Sequence, residues 1–227
     1  MGRARLDRRK RIGGRKPEIV VRMDFQFEIG LLPTRCGDEL WGEDNTRLVS
    51  SSYAPFGTVT KVDGGYVLNG EWLTSSGCDH AAGGAFLGGR VQENGEQVFR
   101  SFWVQRSDFE IIDDWFVVGL AGTGSKKLLV KEVFVPEHRS HVIAAYDEAS
   151  HGHVNNLYKM PFFYVFYAAV SSVLIGMARG MVDLYIEHMV PRQNLNQAVG
   201  AAVQDPFIKN RLGEAYAKIL GATSRVL

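Results

Sequence analysis

The feature that most constrains the fold is a change in the period of the hydrophobic pattern near residue 140. Residues 56–136 alternate apolar and polar positions and are interrupted by glycine-containing turns, whereas residues 161–189 form one long apolar stretch. A period of two is typical of strands, and a long stretch with proline at its start is typical of a helix. The chain is therefore expected to be α+β, with a β-domain followed by helices.

Turn dipeptides divide the β-region into hairpins. Asp63-Gly64-Gly65, Asn69-Gly70 and Asn94-Gly95 each lie between apolar runs, and such pairs supply the positive φ that tight turns need. The antiparallel hairpins predict a sandwich or a barrel. The predicted strands are Thr58–Val62, Tyr66–Leu68, Glu71–Leu73, Phe86–Val91, Gln97–Val104, Phe109–Ile112, Trp115–Val118 and Leu128–Val135.

Two helices are predicted after the β-region. The first covers 161–189, and the second begins at Asp205-Pro206, an N-cap residue followed by proline, and runs through Leu220. Residues 160–177 carry no charge, which just reaches the length of a membrane span. Because the pattern continues without a break into charged residues, a helix buried between other helices is preferred over a membrane segment.

Charge is distributed unevenly along the 227 residues. Residues 1–22 hold nine Arg or Lys against two acidic residues, which leaves 17 basic and 23 acidic residues in the remainder. An acidic body argues against nucleic-acid binding, and the basic start lacks the apolar run of a secretory signal. It is interpreted as a disordered arm, with a nucleic-acid-binding tail as the alternative. Cys36 and Cys78 are too few for a disulfide framework, so a reduced, cytoplasmic protein is expected.

Two serine-rich segments stand beside the predicted strands. They are Ser50–Pro55, with the sequence SSSYAP, and Thr74–His80, with the sequence TSSGCDH. Small hydroxyls and free backbone N–H groups at the ends of strands can hold a planar, hydrogen-bonding ligand. Together the segments predict two walls of a flavin site, and the alternative is that their serines bond their own backbone.

These segments belong to a set of blocks that resembles the two-component flavin-dependent monooxygenases built on the acyl-CoA dehydrogenase fold. The subgroup that hydroxylates the phenolic secosteroid of bacterial steroid degradation is the most similar, and the 4-hydroxyphenylacetate hydroxylase oxygenases are more distant. The match is dense from about Trp41 to His188. The other blocks are WGED at 41–44, NGEW at 69–72, GLAGTGS at 119–125 and VFVP at 133–136.

The resemblance implies a helical first domain, a central β-domain and a C-terminal helical bundle that forms a homo-tetramer. Residues 1–40 would then hold the basic segment and a remnant of the first domain, residues 41–145 the β-domain, and residues 146–227 an incomplete bundle. The chain would be a fragment. Poor turnover is expected of it in isolation, because Phe162, Phe163 and Val165 would lack partners.

The resemblance also implies the chemistry. A flavin reductase supplies reduced flavin, with FMN preferred to FAD, O2 adds at flavin C4a, and the hydroperoxide hydroxylates the carbon ortho to a phenol. The protein orients the cofactor and excludes water. Ser76 is expected beside flavin N5 and Ser51 at the flavin–substrate junction. Cofactor contacts are also expected from Ser75, Ser52, Gly77 and Arg192.

The candidate bases are less well defined. His80 is interpreted as structural, with a general base as the alternative. The family has a histidine-containing aromatic segment upstream of Trp41, where this chain reads Phe25-Gln26-Phe27-Glu28, and a carboxylate at Glu28 is a weak base toward a phenol. His151 and His153 lack a third ligand, so a solvated loop and no metal site are predicted.

Further predictions concern a glycine-rich stretch, two tryptophans and the alternative functions. Gly119–Ser125 is interpreted as a structural turn, because a P-loop would need a lysine and a following helix. Trp72 and Trp115 are predicted to lie in the core. Two further functions stay open: an acyl-CoA dehydrogenase, which usually has a Thr-Glu-Pro turn where this chain has Ser-Tyr-Ala-Pro, and a non-catalytic oligomerisation fragment.

Overall fold

Two four-stranded sheets and three helices of eight or more residues account for most of the chain that the computed structural model describes, residues 27–143, 158, 160–192 and 204–226. The described residues up to Phe166 form one compact unit, and those from Tyr167 onward form another. The basic segment and the His151-Gly152-His153 sequence lie outside the described residues. The predicted division at residues 40 and 145 stays a prediction.

The strands form two separate sheets. Their bounds are β1 Ser50–Ser52, β2 Thr58–Val62, β3 Gly65–Ser75, β4 Ala85–Glu93, β5 Glu96–Val104, β6 Glu110–Ile112, β7 Lys126–Pro136 and β8 Ser140–Val142. One sheet has the order β1-β4-β5-β8 and the other β2-β3-β7-β6. The pairing of β1 with β4 is parallel, and the other described pairings are antiparallel. The sheets do not close into a barrel, so the predicted sandwich is confirmed.

The sandwich core contains buried side chains from both sheets. Trp72 of β3 is fully buried, as predicted, and its indole N–H donates a hydrogen bond of 2.7 Å to the carbonyl of Gly88 in β4. A buried indole N–H needs such a partner. The apolar members of this core are Tyr66, Leu68, Trp72, Cys78, Ala85, Leu87, Val91, Phe102, Val104, Phe109, Leu128, Val130 and Val135.

The local turn signals are correct where Asp63-Gly64 joins β2 to β3 and where Asn94-Gly95 joins β4 to β5, and wrong at a third position. Asn94 and Gly95 join β4 to β5 with φ of 52° and 86°, which is the left-handed geometry of a tight hairpin turn. Asn69-Gly70 makes no turn. Gly70 has φ 129° and lies at a shift in register within the continuous strand β3, so the dipeptide forms a β-bulge.

The predicted strand Trp115–Val118 is also wrong. The residues between β6 and β7 form a loop, in which the side chains of Phe116 and Val118 are exposed. Trp115 is partly exposed and donates to the Leu120 carbonyl at 3.2 Å, so it is not a core residue. Strand formation needs a partner edge as well as β-propensity, and β6 already pairs with β7 here.

Three helices follow or precede the sheets: α1 (Thr34–Trp41), α2 (Phe162–Met189) and α3 (Pro206–Val226). The predicted N-cap of α3 is confirmed, because the Asp205 carboxylate accepts a hydrogen bond of 2.8 Å from the Phe207 N–H. The helix extends six residues beyond the predicted end at Leu220. Helix α1 was not anticipated by the sequence pattern.

Helix α2 is long and apolar enough to cross a membrane by length and composition alone. The expectation that it is buried between other helices is not met among the described residues, since many of its apolar side chains are exposed. The first turns of α2, in contrast, pack against other described residues. Phe162 is buried, and Phe163 and Val165 pack on the same cluster as Phe27, so the expectation that these residues lack partners is wrong.

One prediction tests the close approach of β1 and β4. A Cβ added at Gly88 would overlap the backbone carbonyl of Tyr53, which is held by the chain around it. We expect Gly88→Ala to lower the free energy of unfolding by about 1–3 kcal/mol, measured by urea denaturation. Gly122→Ala is the matched control, because a Cβ there meets nothing within 4 Å. Equal urea midpoints for the two variants would contradict this packing.

Candidate functional site

The two serine-rich segments lie against each other, although they belong to different sheets. The Ser75 hydroxyl, at the end of β3, donates a hydrogen bond of 3.0 Å to the Ser50 hydroxyl, at the start of β1. The Ser52 hydroxyl donates to the Leu73 carbonyl at 2.5 Å. Ser50, Ser52 and Ser75 are buried. The first segment is therefore a short strand rather than a turn, and its serines connect the sheets.

Strand alternation assigns different surroundings to the serines of β1. Because successive side chains point to opposite faces, Ser51 points away from the face that carries Ser50 and Ser52. Ser51 is 6% exposed and pairs in register with Phe86, which packs in a second apolar cluster with Leu40 and Trp103. The segments are thus brought together through Ser50 and Ser75. The flavin contact of Ser51 stays a prediction.

The second segment is held by the loop that precedes β7. The hydroxyls of Ser76 and Ser125 share a hydrogen bond of 2.8 Å, and those of Ser125 and Thr123 share one of 2.7 Å. The Gly77 N–H donates to the Thr123 carbonyl at 2.8 Å, and Gly77 has φ 72°. The sequence indicated a structural turn at 119–125 but gave no signal that it supports Ser76.

A charged group stands beside this pair of turns. Lys126 Nζ lies 3.0 Å from Asp79 Oδ2 and 3.2 Å from Asp113 Oδ1. Hydrogen bonds from Lys126 to Asp79 and Asp113 raise the pKa of the Lys126 ammonium. Asp79 follows Cys78, whose buried thiol has its pKa raised by desolvation. A buried thiol with a raised pKa is a poor nucleophile, so Cys78 has a packing role.

The other predicted residues occupy separate places. His80 is exposed at the end of the short 3₁₀ turn Cys78–His80 and lies outside any strand. Arg192 is exposed after α2, with Nη1 3.5 Å from His188 Nε2. The phosphate contact of Arg192 stays a prediction. Across the described ranges, no group of three or more His, Cys, Asp or Glu could hold a metal ion.

Glu28 is not available as a base toward substrate. It is fully buried, and its two oxygens accept hydrogen bonds from the Tyr53 hydroxyl at 2.5 Å and from His141 Nε2 at 2.8 Å. His141, in β8, was missed at the level of sequence. It follows Arg139 and Ser140 in a segment without a recognisable motif, and its partner is 113 residues away.

The residues around Ser76 fit a flavin that binds by hydrogen bonds to a hydroxyl. The Ser76 side chain is half-buried, and a hydroxyl engaged in one hydrogen bond can still donate or accept another. Ser75 and Ser52 have their hydroxyls occupied inside the protein, and the Gly77 N–H is also used. A cofactor contact is therefore easiest for Ser76, with Ser125 and Thr123 behind it.

Comparison with known sequences finds similarity to the oxygenase components of flavin-dependent monooxygenases. The profile of the acyl-CoA dehydrogenase C-terminal domain matches residues 168–227. The flavin-dependent monooxygenase oxygenase subunit HsaA of Mycobacterium tuberculosis is 43% identical over 206 residues, which are 88% of this chain and 52% of the relative. The oxygenase component of an FADH2-dependent resorcinol hydroxylase from a Rhizobium species is 32% identical over 216 residues, which are 89% and 52%.

The fold of this chain is also similar to that of solved structures. The crystal structure of the M. tuberculosis HsaA monooxygenase superposes with a TM-score of 0.80 at 40% identity, covering 91% of this chain and 54% of that chain. XiaF from Streptomyces, in complex with FADH2 and glycerol, gives a TM-score of 0.77 at 25% identity with the same two coverages. The fold is that of these oxygenases. The chain spans about half the length of the curated relatives it matches.

A double-mutant cycle tests the contact between the serine-rich segments. Ser75→Ala leaves the buried Ser50 hydroxyl without its partner, and we expect a loss of about 1–3 kcal/mol in the free energy of unfolding. The double variant Ser50→Ala/Ser75→Ala should lose less than the sum of the two single losses, by about 0.5–1.5 kcal/mol. Urea denaturation of all four proteins measures this difference, and strictly additive losses would show that the hydroxyls do not interact.

Proposed function

Since this chain is related over most of its length to the oxygenase subunits of flavin-dependent monooxygenases, we propose that it is the central and first helical part of the oxygenase component of a two-component system. The proposed substrate is a phenol, hydroxylated at the ortho carbon. The observation that carries this proposal is the half-buried Ser76 hydroxyl, held by Ser125 beside the junction of the two sheets. The resorcinol hydroxylase named above acts on a phenol by its name.

The proposed reaction balances as a monooxygenation. Reduced flavin, when bound, supplies two electrons to O2 through an oxygen adduct at flavin C4a; one oxygen atom enters the phenol, the other leaves as water, and the flavin is oxidised. The reduced flavin comes from a partner reductase. The task of the protein is to orient the ring and keep water away from it.

Each candidate site residue is assigned one role in the proposed reaction. The Ser76 hydroxyl bonds flavin N5, and Ser125 and Thr123 fix its orientation through their chain of hydroxyls. Ser51 lies at the boundary between flavin and substrate. Ser75, Ser52 and Gly77 shape this wall by bonds within the protein. Arg192 binds the flavin phosphate. The complete protein is proposed to be a cytoplasmic homo-tetramer.

The cofactor is proposed to be reduced flavin. The sequence-based expectation is FMN, whereas XiaF is in complex with FADH2 and the resorcinol hydroxylase is FADH2-dependent by its name. The two flavins share the isoalloxazine ring that Ser76 would contact. Titration with each reduced flavin therefore identifies the preferred form without changing the role of the serine.

Anaerobic titration with reduced FMN or FAD tests the proposal, followed by addition of O2 and recording of the near-ultraviolet absorbance of the flavin adduct. We expect reduced flavin to bind, and Ser76→Ala to weaken binding about 2- to 10-fold, the effect of one lost hydrogen bond. The variant should also shorten the lifetime of the adduct, because N5 loses its partner. Ser107→Ala, at an exposed serine in another turn, is the matched control.

The outcomes separate the open functions. A folded chain that binds neither reduced flavin is a non-catalytic fragment, and the proposal fails. Binding of oxidised flavin together with reduction by an acyl-CoA thioester would identify a dehydrogenase. If Ser76→Ala and Ser107→Ala have equal flavin affinities and equal adduct lifetimes, the chain binds flavin but Ser76 does not contact it.

A further inference from the structure

A buried polar cluster lies beside the serine strand and has no part in the scheme above. It consists of Glu28, in a helical turn before α1, Tyr53, directly after β1, and His141, in β8. Glu28 is fully buried and His141 is 8% exposed. Both carboxylate oxygens are bonded, one to Tyr53 at 2.5 Å and one to His141 at 2.8 Å. Residues distant in sequence thus converge on one carboxylate.

The surroundings require this carboxylate to be neutralised by a partner. Phe27, Leu31, Ile143 and Phe162 form a buried apolar cluster at this place. Burial of an isolated charge is very costly unless it is paired and hydrogen-bonded. His141 Nε2 faces Glu28, and Nδ1 lies 3.3 Å from the Val142 carbonyl, so each ring nitrogen faces an acceptor. The Nε2–H of His141 can donate to Glu28, so the buried carboxyl group and the ring form a hydrogen-bonded pair.

Tyr53 connects this hydrogen-bonded pair to β1. Its hydroxyl donates to Glu28, and its ring lies edge-on to Phe162 and Phe166 at 5.1 and 5.8 Å between centroids. Its backbone carbonyl stands so close to Gly88 that no Cβ would fit between them. The residue is therefore held at its hydroxyl, its ring and its backbone.

Strand β1 needs such an anchor. It has only three residues, it is at the edge of its sheet, and among the described strands it pairs with β4 alone. A strand this short has few backbone hydrogen bonds to fix its position. The hydroxyl bonds of Ser50 and Ser52 hold it toward β3, and Tyr53 holds its end toward the side of Glu28.

We propose that Glu28 and His141 are positioning residues that fix Tyr53, and through it the strand that presents Ser51 to the flavin. Glu28 does not contact substrate, since its oxygens are both engaged and the side chain is fully buried. The flavin part of this inference rests on the proposed function, whereas the anchoring of β1 does not.

Tyr53→Phe tests the proposal, because it removes one hydroxyl and leaves the aromatic ring and the hydrogen bond between Glu28 and His141 in place. The matched control is Tyr66→Phe, which removes another tyrosine hydroxyl that donates to a carboxylate, that of Glu93 at 2.9 Å. Hydrogen–deuterium exchange of the amides at 50–53 measures the anchoring of β1, and anaerobic titration measures reduced-flavin affinity. Glu28→Gln is the second variant, and it keeps the size of the side chain while replacing one acceptor oxygen by an amide nitrogen.

We expect exchange at 50–53 to accelerate about tenfold in Tyr53→Phe, the effect of one lost hydrogen bond to a charged group, and not in Tyr66→Phe. Reduced flavin should bind about 3- to 10-fold more weakly to Tyr53→Phe than to the control. Exchange at 50–53 should also accelerate in Glu28→Gln, because the amide offers Tyr53 and His141 one acceptor oxygen in place of two. Should Glu28→Gln fail to fold, Tyr53→Phe decides alone.

Unchanged exchange at 50–53 in Tyr53→Phe overturns the proposal, whatever the flavin affinity. Faster exchange with unchanged affinity overturns the link between β1 and the flavin. A wild-type chain that binds no reduced flavin overturns the proposed function, and the exchange data then still decide whether Glu28 and Tyr53 anchor β1. Unchanged exchange at 50–53 in a folded Glu28→Gln overturns the positioning role of Glu28.

Discussion

The contacts of β3 with the opposite sheet are the constraint on which the rest of the structure depends. Trp72 donates to the Gly88 carbonyl, Ser75 donates to Ser50, and Leu73 accepts from Ser52. These bonds lie between the two layers, where an unpaired polar group would be costly. They fix how the sheets face each other. They also decide that the two serine-rich segments meet, which neither sheet could arrange alone.

The turn that carries Ser76 follows directly after this junction between the sheets. β3 ends at Ser75, Gly77 turns in the left-handed region, and the loop before β7 returns to bond Ser76 and Gly77. A hydroxyl held by a second hydroxyl is oriented before a ligand arrives, which lowers the cost of binding. On the other side, the Glu28–His141 pair supports Tyr53 and the end of β1. Two independent supports thus flank the same pair of segments.

Success and failure of the sequence predictions follow the range of the interactions involved. Asn94-Gly95 and Asp205-Pro206 were interpreted correctly because a turn and an N-cap are decided by the residues themselves. Asn69-Gly70 carries the same local signal, yet the pairing of β3 with β7 on both sides of it keeps the strand continuous. The run Trp115–Val118 has strand composition but forms a loop, because β6 already occupies the edge of β7.

The α+β class, the hairpin joining β4 to β5, both long helices and the similarity to flavin-dependent oxygenases could be predicted from the sequence alone, because periodicity, caps and contiguous motifs are local properties of the chain. Only the tertiary structure decided that Ser50 bonds Ser75, that Ser125 supports Ser76, and that Glu28 is paired with His141. These pairs are 25, 49 and 113 residues apart. Contacts at such separations leave no periodic trace in the sequence, and they exist only once the sheets and the helical turn before α1 have packed together.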